Sequence, residues 1–309
     1  MKKALKIGIL VVILVMAVAL TTFLGGKKSS DKLKIVATNF PAYDFSRAVV
    51  GDEAEVKMLL SPGAEMHDFE PTPQDIIDIK NSDLFVYVGG ESDEWVDDVL
   101  SDIDVDRAKV LKMMDVVSVV EEDVVEGMET EEEEKAKAEY DEHVWMSPKN
   151  AEKIVQAILA KVSERSANFK KNADEYVAEL EGLDAELRAV VGDAKRKTLI
   201  FGDRFPLRYF VDEYGLNYFA AFPGCAEQTE ASSKTISFLI DKVKTEKVPV
   251  VFKVELSSGK IAETIAQETG AKVLEFNAVH NVSMDDFKAG ATYVTLMRKN
   301  VLALKEALL

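Results

Sequence analysis

Three histidines, His67, His143 and His280, are the side chains in this sequence best suited to binding chemistry. Imidazole nitrogen is a favoured ligand of zinc and of similar divalent transition metals. His67 and His280 each follow a predicted strand, in opposite halves of the chain, and His143 precedes a predicted long helix. Three neutral imidazoles leave one position of a tetrahedral site, which a carboxylate would close. Closed coordination indicates storage or transport, whereas a retained water indicates catalysis.

The common catalytic signatures are absent from the sequence. It contains no H-E-x-x-H, no G-x-S-x-G and no G-x-x-x-x-G-K-S/T. A metal-dependent hydrolase would also need an open coordination position and a carboxylate on the bound water. The single cysteine, Cys225, excludes an internal disulfide and a cysteine-based metal site. We therefore expect a protein that binds a metal ion and is not an enzyme.

The elements that would position the histidines alternate between strands and helices. Predicted strands lie at 33–38, 54–60, 84–88, 197–201, 216–222, 248–254 and 272–276. Predicted helices lie at 45–50, 208–214, 232–245 and 260–269, one begins at 73, and the last begins near 286. This alternation predicts an α/β fold with mainly parallel sheets. We expect two α/β lobes joined by one long helix, with the ligand cleft between the lobes at the carboxyl ends of strands.

Composition divides the chain into four parts. Residues 1–30 form a signal peptide or membrane anchor, 31–147 an N-terminal lobe, 148–190 a linker of one helix or two, and 191–309 a C-terminal lobe. Within the first lobe, residues 121–142 include twelve acidic and two basic side chains. This composition predicts a solvated, mobile loop. It is either a charged surface loop with no specific function or a loop that weakly binds cations near the site.

The first thirty residues indicate export. Lysines precede an uncharged apolar run from Ile7 to Leu24, followed by a small polar exit. This order is typical of a secretory signal, and about 18 residues are also enough for a single membrane span. We expect an extracytoplasmic protein, at the cell surface or in the periplasm, with membrane contact through this segment. The net charge of −17 argues against a nucleic-acid partner, and we expect a monomer.

Two motifs resemble those of a known family. Residues 60–73, with Pro62-Gly63 before His67 and D-F-E-P-T-P after it, resemble the first metal-binding loop of the zinc and manganese substrate-binding proteins of ABC importers. Residues 141–148, D-E-H-V-W-M-S-P, resemble that family's second motif, H-x-W-x-S/D-P. Further similarity at 88–95, 250–260, 268–273 and the final helix extends over essentially the whole exported chain.

The resemblance implies a fold and a function. It implies two α/β lobes bridged by one long helix, a metal ion held between them with limited hinge motion, and delivery to a membrane permease. Residues 121–142 occupy the place where many zinc-binding relatives carry a histidine-rich or acidic loop, which favours the cation-binding interpretation.

The second half departs from the family pattern. Where the family has F-H-D-A-F, this chain has F-G-D-R-F, so Gly202 stands in place of a histidine. The family's last ligand is an acid after the final strand, where this chain carries His280. We infer that His280 supplies the absent imidazole and that Asp203 is the fourth ligand. An ion pair of Asp203 with a neighbouring arginine is the alternative, and the other candidates for the fourth position are Glu255, Glu227, Glu230 and water.

The predicted ligand set favours zinc. Three imidazoles and a carboxylate suit zinc, whereas manganese prefers more oxygen ligands. The expected function is capture of a zinc ion for the permease of an ABC-type importer. If His280 points away and Asp203 binds with a glutamate, the site becomes manganese-like. The alternatives are a manganese- or iron-binding version of the same protein, or a surface adhesin stabilised by metal.

Overall fold

The computed structural model describes residues 32–66, 69–128, 140–224, 226 and 230–309. The predicted signal or anchor at 1–30, His67, Cys225, Glu227 and the central part of the acidic segment lie outside the described residues. In the described ranges, no helix combines the length and the apolar character needed to cross a membrane.

The first sheet has four parallel strands in the order β2-β1-β3-β4. The strands are β1 (Leu33–Ala37), β2 (Ala54–Met58), β3 (Leu84–Tyr87) and β4 (Val110–Lys112). Three helices connect them: α1 (Phe40–Val50), α2 (Pro73–Lys80) and α3 (Glu94–Asp102). All four residues of β3 are buried, as expected for a parallel strand covered on both faces.

Helix α1 begins five residues earlier than the sequence pattern predicts. The Asn39 side chain accepts a hydrogen bond from the Ala42 N–H at 3.2 Å, and Pro41 lies in the first turn. Asparagine is a favoured N-cap, and proline in the first turn lacks only an N–H that has no helical partner. Residues 39–41, which precede the predicted helix, therefore form the start of α1.

The second sheet repeats this architecture in the order β6-β5-β7-β8, again all parallel. Its strands are β5 (Thr198–Phe205), β6 (Asn217–Pro223), β7 (Val250–Val254) and β8 (Lys272–Phe276). The helices between α3 and the chain end are α4 (Pro148–Val162), α5 (Ala167–Gly192), α6 (Arg208–Tyr214), α7 (Ser233–Glu246), α8 (Lys260–Thr269), α9 (Met284–Lys288) and α10 (Tyr293–Leu308). The two parallel-sheet lobes confirm the predicted fold class.

Strand β5 continues beyond its predicted end at 201. The strand bulges between Phe201 and Arg204 and then pairs again with β6. At Gly202, a Cβ atom would lie 2.5 Å from both the Cα and the N of Ala262 on α8. Glycine in a strand often marks such a close approach of another backbone. Asp203 therefore lies within β5 and not past its end.

The segment between the sheets forms two helices, α4 and α5. The break falls at 163–166, where the Ser166 side chain caps α5 by accepting a hydrogen bond from the Asn168 N–H at 3.2 Å. The 26-residue helix α5 packs against α1, which follows the first strand, and against α10 at the chain end. It is the long helix that contacts both lobes.

A buried carboxylate ties these helices together. Asp44 on α1 accepts hydrogen bonds from the Tyr176 hydroxyl on α5 and from the Tyr293 N–H at the start of α10, both at 2.8 Å. Its other oxygen accepts from the Arg47 guanidinium at 2.6 Å. Apolar side chains from both lobes also pack into one continuous buried cluster. The relative placement of the two lobes is thus defined by core packing.

Candidate metal centre

His143 lies in a short, fully buried turn that leads into α4. A single helical turn, Val144–Met146, follows it, and Ser147 with Pro148 then starts α4 as the sequence predicts. The Trp145 indole N–H donates to the carbonyl oxygen of Ala278 at 2.7 Å. Because Ala278 lies in the loop after β8, this bond joins the His143 turn to the loop that carries His280.

The His280 loop in turn contacts the first lobe. The Asn281 side-chain amide donates to the carbonyl oxygens of Ser61 and Ala64, both at 2.8 Å. The Phe40 N–H points at the His280 carbonyl oxygen at 3.4 Å. The loop at 61–66, whose next residue in the chain is His67, is therefore held against the second lobe beside His280.

Two of the three predicted histidine ligands meet in the structure. The ring centroids of His143 and His280 are 4.5 Å apart, with an angle of 83° between the ring planes. The Trp145 ring packs on both, at 5.4 and 5.7 Å. The His143 Nε2 atom is buried and has no hydrogen-bond partner within the described parts of the chain. An unsatisfied buried nitrogen is costly, and coordination of a metal ion would satisfy it.

The surroundings of His143 favour its neutral form. Burial lowers the pKa of His143 well below its usual value, and the charges on His280 and Arg204 lower it further, whereas Glu255 acts in the opposite direction. Metal ions bind the neutral imidazole. His143 is therefore ready to coordinate a metal ion at neutral pH without losing a proton first.

Two of the candidate carboxylates, Asp203 and Glu255, have different neighbours. The Asp203 oxygens accept hydrogen bonds from the backbone N–H groups of Arg204 at 2.9 Å and Val254 at 3.2 Å. The Glu255 oxygens accept from the backbone N–H groups of Ala278 at 2.6 Å and His280 at 3.0 Å. Glu255, which the sequence analysis ranked below Asp203, thus directly contacts the loop of a predicted ligand.

The arginines near Asp203 have other partners. Arg204 pairs with Glu65 at 3.0 Å, and Arg208 pairs with Asp123 and Asp212. Within the described residues, which omit His67, no three histidine, cysteine or acidic side chains converge closely enough to hold a metal ion. Asp203 as the fourth ligand stays a prediction, and Glu230 is exposed.

A cavity of about 370 Å³ is lined by Glu65 of the first lobe and by second-lobe residues that include Asp203, Arg204 and Glu255. The Arg204–Glu65 ion pair joins its two sides. Sequence reasoning considered Arg204 only as a partner of Asp203. The bulge in β5 next to Arg204 has no local signal in the sequence. The sequence therefore did not predict the ion pair of Arg204 with Glu65.

The first described part of the acidic segment is irregular and partly exposed, and it also contacts the second lobe. Glu122 accepts a hydrogen bond from the Gly224 N–H at 2.7 Å, and Asp123 pairs with Arg208. Glu126 pairs with Lys242 on α7 at 3.3 Å. Residues 121–128 therefore lie along the second lobe, while 129–139 fall outside the described residues.

Buried carboxyl groups surround the His143 turn on its first-lobe side. Burial raises the pKa of Asp141 to about 7, that of Glu142 to about 8 and that of Asp93 to about 6. Glu142 accepts hydrogen bonds from the Ser92 N–H at 3.0 Å and the Ser92 hydroxyl at 2.5 Å. Each raised pKa means that the folded protein binds a proton more tightly than the unfolded chain does.

Asp93 makes the stability of the protein depend on pH in an unusual direction. A carboxyl whose pKa rises on folding contributes stability below its unfolded pKa, and this contribution is lost as pH rises through the folded value. For Asp93 the window runs from 3.8 to about 6. We expect wild type to lose about 2 kcal/mol, relative to Asp93→Asn, between pH 4 and pH 7. Urea unfolding of both proteins at several pH values measures this difference, and parallel pH profiles would contradict it.

Comparison with known proteins places the chain in a family. A family model described as zinc-uptake complex component A, periplasmic (ZnuA), matches residues 35–307. The chain is 32% identical over 291 residues to the zinc-binding protein AdcA of Streptococcus pyogenes serotype M3. The aligned region covers 90% of this chain and 56% of that protein. The chain is also 32% identical over 289 residues to the high-affinity zinc uptake system protein ZnuA of Bacillus subtilis, covering 90% and 88% respectively. The chain thus spans little more than half the length of its AdcA relatives.

The fold agrees with that assignment. The crystal structure of the Zn(II)-bound ZnuA-like domain of Streptococcus pneumoniae AdcA matches with a TM-score of 0.74 at 30% identity, covering 90% of this chain and 99% of that one. Both the family match and the structural match extend over nearly all the described residues. This chain therefore belongs to the family of the zinc-uptake complex component A, as the resemblance of its histidine motifs predicts.

Proposed function

We propose that this chain is an extracytoplasmic substrate-binding protein that captures a zinc ion and delivers it to the membrane permease of an ABC-type importer. The observation that carries this proposal is the contact of the buried His143 ring with the partly exposed His280 ring, whose centroids are 4.5 Å apart. The two rings come from opposite halves of the chain, as expected for a ligand held between lobes. The similarity to the zinc-binding protein AdcA and to the high-affinity zinc uptake system protein ZnuA supports the same ion.

The proposed ligands are His67, His143, His280 and Asp203. The Asn281 hydrogen bonds support the inclusion of His67, because they hold the end of the loop that leads to it. Asp203 is the carboxylate that the sequence predicts for the fourth position. Three imidazoles and one carboxylate form a closed zinc site, which suits capture and transfer without catalysis.

The proposal keeps the sequence-based organisation of the chain. Lobes at 31–147 and 191–309 flank the linker at 148–190, and the segment at 1–30 directs export or anchors the protein to the membrane. The protein works as a monomer. Release of the ion to the permease requires the lobes to separate locally, which breaks the Asn281 hydrogen bonds and the Arg204–Glu65 ion pair.

Competitive metal loading tests the proposed function. Purified protein is made metal-free, offered equal amounts of zinc, manganese and iron, and analysed by elemental mass spectrometry. We expect one equivalent of zinc in wild type and in the surface variant Asp174→Asn, and its loss in His280→Ala. Manganese bound equally by wild type and His280→Ala would instead indicate an oxygen-rich site. Protein that takes up no metal would overturn the proposal.

A further inference from the structure

Each of the two described histidines is held by a carboxylate that the proposed ligand set does not use, Asp141 being fully buried and Glu255 largely so. We propose that Asp141 and Glu255 are positioning residues that orient His143 and His280, and that neither carboxylate binds the metal ion. The proposal rests on the proposed function, since it concerns how the zinc ligands are presented. It also separates Glu255 from the candidates for the fourth coordination position.

Asp141 fixes the ring of His143 through a single oxygen. Its Oδ1 atom accepts from the His143 backbone N–H at 2.8 Å and lies 3.0 Å from the ring Nδ1. Both side chains are fully buried. An oxygen that already accepts the backbone N–H faces Nδ1 as a second acceptor, so the ring proton belongs on Nδ1. The lone pair is then on Nε2, the nitrogen that is buried without a partner within the described chain.

This arrangement is the one that metal-binding histidines use. A ligating imidazole commonly donates its other ring N–H to a carboxylate, which fixes both the tautomer and the ring orientation. In His143 the tautomer that Asp141 selects leaves the lone pair of Nε2 available to coordinate a metal ion. Asp141 therefore acts on the metal ion only through the imidazole.

Glu255 holds His280 through the backbone. Its two oxygens accept from the N–H groups of Ala278 and His280, which lie on either side of Val279. Val279 has φ of +60°, and Leu256, next to Glu255, has φ of +61°. A β-branched residue in the left-handed region is strained and persists only where its surroundings enforce it. The carboxylate enforces it here, because both N–H groups must point toward one side of the loop.

Both oxygens of the Glu255 carboxylate are occupied by hydrogen bonds from this loop. Both of its oxygens carry backbone hydrogen bonds, and Oε1 lies 3.6 Å from Nδ1 of His280, on the Nδ1 side of the ring. Asp141 likewise faces the Nδ1 side of His143. Each carboxylate thus lies at the Nδ1 edge of its own histidine ring. The Nε2 atom of each ring therefore points away from the carboxylate. The presence of a carboxylate at the Nδ1 edge of both histidines is the observation on which we base the proposal.

Histidine NMR on the metal-free full chain tests it directly. The chain has only three histidines, so long-range ¹H–¹⁵N spectra contain three ring systems, which His67→Gln and His280→Gln assign. We expect His143 in wild type to carry its proton on Nδ1. Asp141→Ala should populate the Nε2–H form and weaken zinc binding about 10- to 100-fold. Asp141→Asn keeps an oxygen that can accept both N–H groups, and should restore the tautomer and most of the affinity.

Two controls separate positioning from coordination. Asp93→Asn changes an equally buried carboxyl that accepts two backbone N–H groups, from Val88 and Gly89, and should leave the ring spectra and zinc affinity unchanged. Glu255→Gln should disturb the His280 signals and weaken zinc binding about tenfold. Cobalt(II) bound to this variant should retain the absorption spectrum of a four-coordinate site with wild-type ligands.

Three outcomes would overturn the inference. One is a proton on Nε2 of His143 in metal-free wild type, a result that needs no variant to fold. Another is a zinc affinity of Asp141→Asn as low as that of Asp141→Ala, which would show that the negative charge of Asp141 matters and its hydrogen bonds do not. The third is a changed cobalt spectrum in Glu255→Gln, which would make Glu255 a ligand. The tautomer is measured without metal. The role of Asp141 in orienting His143 can therefore be tested even if the protein does not bind zinc.

Discussion

Replacing His143 with alanine is expected to lower the affinity for zinc about 100- to 1,000-fold. A structural zinc site in a protein is worth about 10–16 kcal/mol, so the loss of one ligand in four removes about 3–4 kcal/mol, and each 1.4 kcal/mol is a factor of about ten in affinity. His143 is fully buried beside His280. Zinc titration against a competing chelator measures the change.

The His143 experiment needs a control for packing, because the ring also contacts Trp145. His143→Gln keeps much of the side-chain volume while it removes the imidazole. We expect both variants to retain the far-ultraviolet circular dichroism of wild type and to lose tight zinc binding together. Near-wild-type affinity in either variant would remove His143 from the proposed ligand set.

Introducing a histidine at Gly202 is expected to destabilise the fold by about 3 kcal/mol or more and to leave zinc affinity no higher than in wild type. A Cβ atom at this position would lie 2.5 Å from the backbone of Ala262 and 2.9 Å from its Cβ. Backbone atoms in a helix cannot move aside as the tip of a flexible side chain can, so α8 would have to separate from β5. Replacement of the family's histidine by glycine therefore matches the packing of this chain.

Gly202→Ala and Gly182→Ala provide the matched comparison for that prediction. Both add one methyl group, but a Cβ at Gly182 on α5 meets nothing within 4 Å. We expect Gly182→Ala to raise the free energy of unfolding by about 0.5–1 kcal/mol, because alanine has the higher helix propensity and its methyl group has room here. Gly202→Ala should lower it. Urea unfolding measures both, and a Gly202→Ala protein as stable as wild type would refute the packing argument.

Local signals in the sequence determined most of the secondary structure. The predicted helix starts at Pro73 and Pro148 are confirmed, and the side chains of Thr72 and Ser147 cap these helices. Alternation of apolar strands and amphipathic helices was sufficient for two parallel sheets. These features depend on hydrogen bonds and burial patterns within a few residues, so they can be inferred without knowledge of distant contacts. The motifs around His67 and His143 likewise identified the family.

Contacts between distant segments decided the rest. Only the tertiary structure shows that β5 continues through Gly202 because α8 packs closely against it. Only the structure shows that Glu255 supports the His280 loop, and that residues 121–128 lie on the second lobe. Each of these depends on which groups meet across the fold and on the direction in which a side chain points. Residue type and spacing along the chain contain neither, so the sequence determined the architecture and the histidines, and tertiary packing decided their surroundings.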